Sequence, residues 1–182
     1  MTLVGIWISK YLVILQLVIK IDRIIMTIKL IAIGKTDDKE LVKLIENYQK
    51  RLSHYIQFEF EIIPDLKKAK NLSESQQKQK EGDLILGKLN PSDVLILLDE
   101  NGKQFDSVAF SQYLQKHMNS GIKQLVFVIG GPYGFSEDVY SRANGKLSLS
   151  KMTFSHQMIR LFAIEQLYRA FTILRNEPYH HR

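Results

Sequence analysis

The stretch Leu125–Phe135, LVFVIGGPYGF, joins an uninterrupted apolar run to a glycine-rich turn. A continuous apolar run of this length is typical of a parallel strand that is covered on both faces. The run Val94–Leu98, VLILL, has the same character, and the residues after it, Asp99–Gly102, predict a turn. Two buried strands of this kind indicate a mainly parallel sheet.

Other strands and helices alternate around these two runs. Strands are predicted over Ile28–Ile33, Ile56–Ile63 and Lys146–Leu149, and helices are predicted to begin near Asp38, Ser73, Asp106, Ser136 and His156. The alternation predicts an α/β fold in which helices flank a mainly parallel sheet. Sheets of this type bind ligands at the carboxyl ends of their strands. The loops after Leu98, Ile129 and Leu149 are therefore the candidate site.

Composition excludes several classes of protein. The chain has 182 residues, 45% of them hydrophobic and 24% charged, which is typical of a globular domain. It contains no cysteine, so disulfides, thiolate metal sites and a thiol nucleophile are excluded. No metal-binding motif is present either. The formal net charge of +6 suits a polyanionic partner such as nucleic acid.

Residues 1–25 are apolar and differ from the rest of the chain. Lysines at positions 10 and 20 interrupt the segment, so it makes a poor membrane span and lacks the layout of a signal peptide. It could be a weak anchor, an added strand or helix, or upstream sequence that is not translated. We favour the third interpretation, because a strand opens at Met26, and we expect a single domain over 26–182. Three Lys or Arg and one Asp lie in 1–25, so 26–182 carries a net charge of +4.

Hydroxyl and apolar residues alternate in the segment Leu147–Arg160, LSLSKMTFSHQMIR. Backbone amides, hydroxyls and apolar walls together suit an adenine or a ribose, although a strand edge followed by a helix cap is an equal alternative. His156 and Arg160 are four residues apart and share one helical face. His156 is a candidate base, with a structural histidine as the alternative.

The last helix is apolar on nearly every side, which indicates that more than one neighbour covers it. One sheet covers a single side, so we expect a homodimer. The tail after Arg175, Asn176–Arg182, carries aromatic, imidazole and cationic groups that can stack on unpaired bases or pair with phosphates. A frayed chain end is the alternative.

Several stretches taken together resemble one known family. These are MTIKLIAIGK from Met26, LLDENGK from Leu97, FVIGGPYGF from Phe127, LSLSKMTFSHQMIRLFAIEQLYRAF from Leu147, and NEPYHHR from Asn176. Their order and spacing resemble the RlmH (YbeA) family of SPOUT-class methyltransferases, over nearly all of 26–182. One departure is Ser155, where the family commonly has proline.

The resemblance implies a SPOUT fold with a C-terminal trefoil knot and an obligate homodimer. It also implies methylation, by S-adenosylmethionine, of N3 of a pseudouridine in 23S ribosomal RNA of the assembled ribosome. The cofactor positions that it implies are Leu98, Gly130, Leu149, Ser150, Lys151, Met152, Thr153 and Phe154. The tail motif Pro178-Tyr179-His180 would lie near the active site, and would reach the partner subunit's cofactor.

The expected mechanism gives each candidate residue a role. His180 or His156 would lie closest to the N3 proton, and Tyr179 would stack on the base or hydrogen-bond to it. The RNA phosphates would be held by Arg160, Arg169 and Arg175. Such an enzyme would be cytoplasmic and would need neither a metal nor a membrane. Two alternatives are a SPOUT methyltransferase that acts on tRNA and a non-catalytic RNA-binding factor in ribosome assembly.

Overall fold

The computed structural model describes residues 26–66 and 69–181, so the predictions made for residues 1–25 lie outside the described part of the chain. The strands are β1 (Thr27–Ile33), β2 (Phe58–Ile63), β3 (Val94–Gln104), β4 (Gln124–Ile129) and β5 (Gly145–Ser148). They form one sheet in the order β2-β1-β4-β3-β5, and every neighbouring pair is parallel. The predicted α/β fold with a mainly parallel sheet is confirmed, and the trefoil knot stays a prediction.

The helices begin where the capping residues predict. They are α1 (Lys39–Leu52), α2 (Glu74–Leu86), α3 (Ser107–Asn119), α4 (Glu137–Arg142) and α5 (His156–Leu174), with a 3₁₀ turn at Ala69–Asn71. Asp38, Ser73, Asp106, Ser136 and Ser155 each accept a hydrogen bond from a backbone N–H of the first turn. Each cap satisfies a donor that the helix itself leaves free.

Two hydrophobic cores separate the sheet from its two helix layers. Ile28, Leu30 and Ala32 of β1 pack in the core that α1, α3 and α5 cover. Ile31 and Ile33 point the other way, into the core beneath α2 and α4. This alternation follows from the two-residue period of a strand. Burial of each leucine or isoleucine side chain contributes about 1.5–3 kcal/mol.

The turn predicted after Leu98 takes a different form. Asp99–Gly102 lie within the bounds of β3, but the pairing with β5 shifts register there, because both Leu98 and Lys103 face Leu147. A Cβ atom on Gly102 would collide with the backbone of Leu147, so the close approach of the two strands requires glycine. The shift produces a bulge that carries Asp99, Glu100 and Asn101 to the carboxyl edge of the sheet.

Within 26–66 and 69–181, no helix has both the length and the hydropathy that a membrane span requires.

Candidate functional site

A cleft of about 480 Å³ opens at the carboxyl ends of β3, β4 and β5. Its walls come from the β3 bulge, the glycine-rich turn after β4 and the segment between β5 and α5. The volume lies within the range of small-molecule and cofactor sites. The three loops that the sequence singled out therefore meet in one cavity.

Seven of the eight predicted cofactor positions line this cleft. They are Leu98, Gly130, Leu149, Ser150, Met152, Thr153 and Phe154. The eighth, Lys151, is exposed and does not line it. The lining combines apolar side chains with hydroxyls and with the backbone of the glycine-rich turn, which is the mixture expected for a nucleoside ligand.

The glycine-rich turn is folded tightly at the mouth of the cleft. Gly134 has a φ of 80°, in the left-handed region that favours glycine, and its N–H donates to the carbonyl oxygen of Gly131 at 3.1 Å. A Cβ atom on Gly130 would lie 3.1 Å from the ring of Phe135, which is buried beneath the turn. Gly130 and Gly131 both line the cleft, so they contribute backbone atoms to its wall.

Hydrogen bonds among serines fix the opposite wall. The Oγ atom of Ser148 donates to the carbonyl oxygen of Ser150 at 2.9 Å, and the Oγ atom of Ser150 accepts from the N–H of Met152 at 2.9 Å. The rings of Phe154 and Phe162 pack with their centroids 5.1 Å apart. The segment is therefore held to itself and to α5.

The acidic rim of the cleft has no role predicted from the sequence. Asp99 accepts a hydrogen bond of 2.7 Å from the hydroxyl of Tyr140, and both residues line the cavity with Glu100. Burial, together with this bond and the negative charge of Asp99, raises the pKa of Tyr140 to about 12. Acidic residues after a buried strand were the available signal. Within the described residues, no group of three His, Cys, Asp or Glu side chains could hold a metal ion.

His156 is the first residue of α5, and it lines the cleft with an exposed side chain. Its neighbour Ser155 is the N-cap, whose Oγ accepts from the N–H of Met158 at 3.2 Å. Of the two predicted bases, His156 and His180, His156 is therefore the one that lines the cavity of its own chain.

The assignment of Arg160 to RNA phosphates is wrong. Its side chain is 2% exposed, and its guanidinium donates to the carbonyl oxygen of Ile33 at 2.8 Å and to Oγ1 of Thr36 at 2.7 Å. A guanidinium enclosed in this way cannot reach a phosphate. Its spacing from His156 is helical, as predicted, but His156 faces the cleft whereas Arg160 packs under the end of β1.

The C-terminal tail turns back onto the protein. Asn176 has a φ of 56°, and the N–H groups of Asn176 and Glu177 donate to the carbonyl oxygens of Ile173 and Thr172, which is a Schellman cap. The reversal brings Tyr179 against α5 and α1. Its hydroxyl lies 3.0 Å from Oε1 of Glu165 and 3.1 Å from the hydroxyl of Tyr48.

This docking determines the state and place of Tyr179. Burial raises the pKa of its phenol, and the hydrogen bonds with Tyr48 and Glu165 raise it further, so Tyr179 is a neutral donor. Neither Tyr179 nor His180 lines the cleft of its own chain. The fold therefore separates the two tail candidates from His156.

The other two predicted RNA contacts, Arg169 and Arg175, differ in whether their guanidinium groups are accessible to RNA. Arg169 donates to Glu165 at 2.5 Å and its guanidinium lies 4.7 Å from the ring centroid of Tyr179, so its charge is already partnered. Arg175 is exposed, with its guanidinium 4.5 Å from the ring centroid of Tyr55. Of the three predicted arginines, Arg175 is the one whose surroundings leave it accessible.

Comparisons with known proteins agree with this geometry. Residues 26–180 match the family model described as "Predicted SPOUT methyltransferase". The chain is 73% identical over 157 residues to the ribosomal RNA large subunit methyltransferase H of Christiangramia forsetii, covering 86% of this chain and 100% of the relative. It is 74% identical over the same shares to the protein of that name from Flavobacterium johnsoniae. The Parabacteroides distasonis protein of that name is 65% identical, over 86% of this chain and 99% of the relative.

Proposed function

Because this chain belongs to the SPOUT methyltransferase family, we propose that it transfers a methyl group from S-adenosylmethionine to N3 of a pseudouridine in large-subunit ribosomal RNA. One observation carries the proposal, namely that three separate loops at the carboxyl edge of the sheet form a single cleft. The names of the similar proteins supply the acceptor class. An acceptor within ribosomes would make the enzyme cytoplasmic.

The residues of the cleft fit this cofactor. Leu98, Leu149 and Phe154 offer apolar walls for an adenine, and the glycine-rich turn offers backbone polar groups. The carboxylates of Asp99 and Glu100 at the rim suit a ligand that carries positive charge. When bound, S-adenosylmethionine supplies an activated methyl group on a sulfonium. The protein's own task is then to orient the acceptor and exclude water.

The acceptor nitrogen is an imide that must lose its proton before or during attack. His156 is the side chain best placed for this within one chain, because it lines the cleft and is exposed. Tyr179 does not act as the base, because its raised pKa keeps the phenol neutral. It can stack on the base, or exchange its hydrogen bond to Glu165 for one to the base. His180 is the second candidate for the proton.

A homodimer would bring the tail to a cleft that its own chain does not offer it. Met152 and Met158 are 76% and 41% exposed, and Leu161 and Phe162 beside them are half-buried. Such an apolar area on α5 and the preceding loop suits a second copy of the chain. The tail of one subunit, through Tyr179 and His180, would then complete the partner subunit's cleft.

Charge supports RNA as the acceptor. Two copies of 26–182 would carry +8, and Arg175 is exposed beside the tail. Cationic side chains that meet phosphates position an RNA substrate, whereas the cleft selects the base. Arg169 is a weaker candidate, because Glu165 already balances it.

Transfer of labelled methyl from S-adenosylmethionine tests the proposal, with ribosomes from a strain lacking this protein and bulk tRNA as the two acceptors. We expect label in large-subunit RNA and none in tRNA. Label in tRNA alone would favour the tRNA-modifying alternative. No label, with no binding of S-adenosylmethionine by calorimetry, would favour a non-catalytic RNA-binding factor.

Variants separate the residue roles in the same assay. His180→Ala and Tyr179→Phe are expected to lower the rate of transfer, because both residues are proposed to act on the acceptor base in the partner subunit's cleft. Full activity in both would refute the role of the tail. A stable monomer by light scattering would refute the homodimer.

A further inference from the structure

The glycine-rich turn rests on two residues of α2, Glu81 and Gly82. A Cβ atom on Gly131 would collide with Oε2 of Glu81, and a Cβ atom on Gly82 would collide with Oγ of Ser136. The carboxyl of Glu81 thus occupies the space that a side chain at Gly131 would need. The helix and the chain around the turn therefore pack closely at these two glycines.

The carboxyl of Glu81 is buried and has few polar groups around it. Glu81 is 3% exposed. Oε1 accepts a hydrogen bond of 2.8 Å from Nε2 of Gln77, whereas Oε2 has no hydrogen-bond partner among the described residues. An ionised carboxylate with one unpartnered oxygen is costly in such a place, and a neutral carboxyl is much less so.

The charges around Glu81 favour the same state. Burial raises the pKa of its carboxyl above the ordinary value, and the nearby carboxylate of Asp65 raises it further. The hydrogen bond from Gln77 opposes this shift without reversing it. No cation pairs with Glu81 within the described residues. Glu81 therefore favours the protonated form.

We propose that Glu81 is a positioning residue. As a neutral carboxylic acid it packs against Gly131 on the side away from the cleft, and it thereby fixes the conformation of the turn that lines the cofactor cleft. Glu81 does not itself line the cleft, whereas Gly130 and Gly131 do. Its effect on the ligand therefore passes through the backbone of the turn. The inference rests on the proposed function, since it takes S-adenosylmethionine as the ligand of the cleft.

Two substitutions at Glu81 test whether its neutral carboxyl positions the turn. Glutamine has the same shape and no charge, so Glu81→Gln is expected to bind S-adenosylmethionine within about two-fold of the unaltered protein. Glu81→Ala leaves a void behind Gly131, and we expect an affinity at least about ten-fold weaker by calorimetry. Glu74→Ala, an exposed glutamate at the start of the same helix, is the matched control and should change nothing.

A double-mutant cycle tests the contact itself. Gly131→Ala alone places a methyl group against Oε2 of Glu81 and should displace the turn. In the Glu81→Ala background the same methyl group enters a vacant space, so the second substitution should cost less, by about five-fold or more in affinity. Additive effects would overturn the proposal.

Hydrogen exchange of the turn tests the role of Glu81 without any cofactor, so its result does not depend on the proposed function. Without any cofactor present, the turn's backbone N–H groups should exchange faster in Glu81→Ala than in Glu81→Gln, at Gly131, Tyr133, Gly134 and Phe135. If exchange and affinity in Glu81→Ala match the unaltered protein, Glu81 does not position the turn. If Glu81→Gln is as impaired as Glu81→Ala, the carboxyl is needed as an anion and the neutral state is refuted. If the unaltered protein binds no S-adenosylmethionine, the proposed function fails, and the exchange result still decides the role of Glu81.

Discussion

The Nη2 atom of Arg160 lies 2.8 Å from the carbonyl oxygen of Ile33, so one guanidinium joins α5 to the carboxyl end of β1. The bond to Thr36 extends the junction into the following loop. Burial lowers the pKa of Arg160, and the carboxylates of Asp65 and Asp37 oppose that shift. Arg160 thus supports the edge of the sheet on which the cleft is built.

Removal of this buried guanidinium is expected to destabilise the fold. Arg160→Met leaves the buried carbonyl oxygen of Ile33 without its partner, at a cost of about 1–3 kcal/mol, and also removes the hydrogen bond to the half-buried Thr36. The free energy of unfolding by denaturant measures the effect. A loss below about 0.5 kcal/mol would show that the junction is dispensable.

The exposed Arg175 should behave in the opposite way. Arg175→Met is expected to change the free energy of unfolding by less than about 0.5 kcal/mol. It should instead weaken RNA binding and reduce the salt dependence of affinity by about one charge. Binding titrations at several salt concentrations check this. An unchanged salt dependence would remove Arg175 from the RNA contacts.

The free energy of unfolding should decrease in acid because Glu61 becomes protonated. Hydrogen bonds from Lys29 and Lys88 lower the pKa of Glu61 in the folded protein, against an opposing effect of burial. A lowered folded pKa adds stability above the ordinary pKa of glutamate, and that stability is lost as pH falls through the lowered value. Glu61→Gln should therefore destabilise the protein at pH 7 and have little effect at the acid end.

Unfolding curves for Glu61→Gln and Glu59→Gln, recorded from pH 7 down to the acid end, compare the free energies of unfolding of the two variants. Glu59 is 59% exposed and 3.5 Å from Lys29, so its substitution should have little effect at any pH. Equal losses in the two variants would contradict the role of Glu61.

Ser155 can be exchanged for the proline that the family commonly has. Ser155→Ala loses the cap to Met158 and should cost about 1 kcal/mol. Ser155→Pro loses the same cap, but the φ of −63° already suits proline, which restricts the unfolded chain. We expect Ser155→Pro to be more stable than Ser155→Ala in thermal unfolding. A proline variant less stable than the alanine variant would contradict this.

Local patterns in the sequence were enough for much of the fold and of the cleft. Apolar runs at Val94–Leu98 and Leu125–Ile129, together with the capping residues, predicted the parallel strands and the helix starts. The resemblance supplied the cofactor positions, and seven of those eight residues line the cleft. Strands and helix starts are features that a few neighbouring residues determine, whereas the cofactor positions needed the resemblance to a family.

Other features depend on contacts between distant parts of the chain. Helical spacing placed Arg160 and His156 on one face, but whether that face meets solvent or the end of β1 depends on how α5 packs. Glu81 lies in a helix rich in polar residues, and nothing in that pattern marks it as buried. The bulge after Leu98 likewise needs the neighbouring strand β5 to define it.

Mass spectrometry of large-subunit RNA nucleosides tests directly whether this protein methylates N3 of a pseudouridine. Ribosomes from a strain lacking this protein would be incubated with the purified protein and S-adenosylmethionine. We expect one pseudouridine to gain a single methyl group on N3, and we expect the Glu81→Ala protein to need a higher cofactor concentration to produce it. RNA that gains no methyl group, or gains it on another nucleoside, would refute the proposed function.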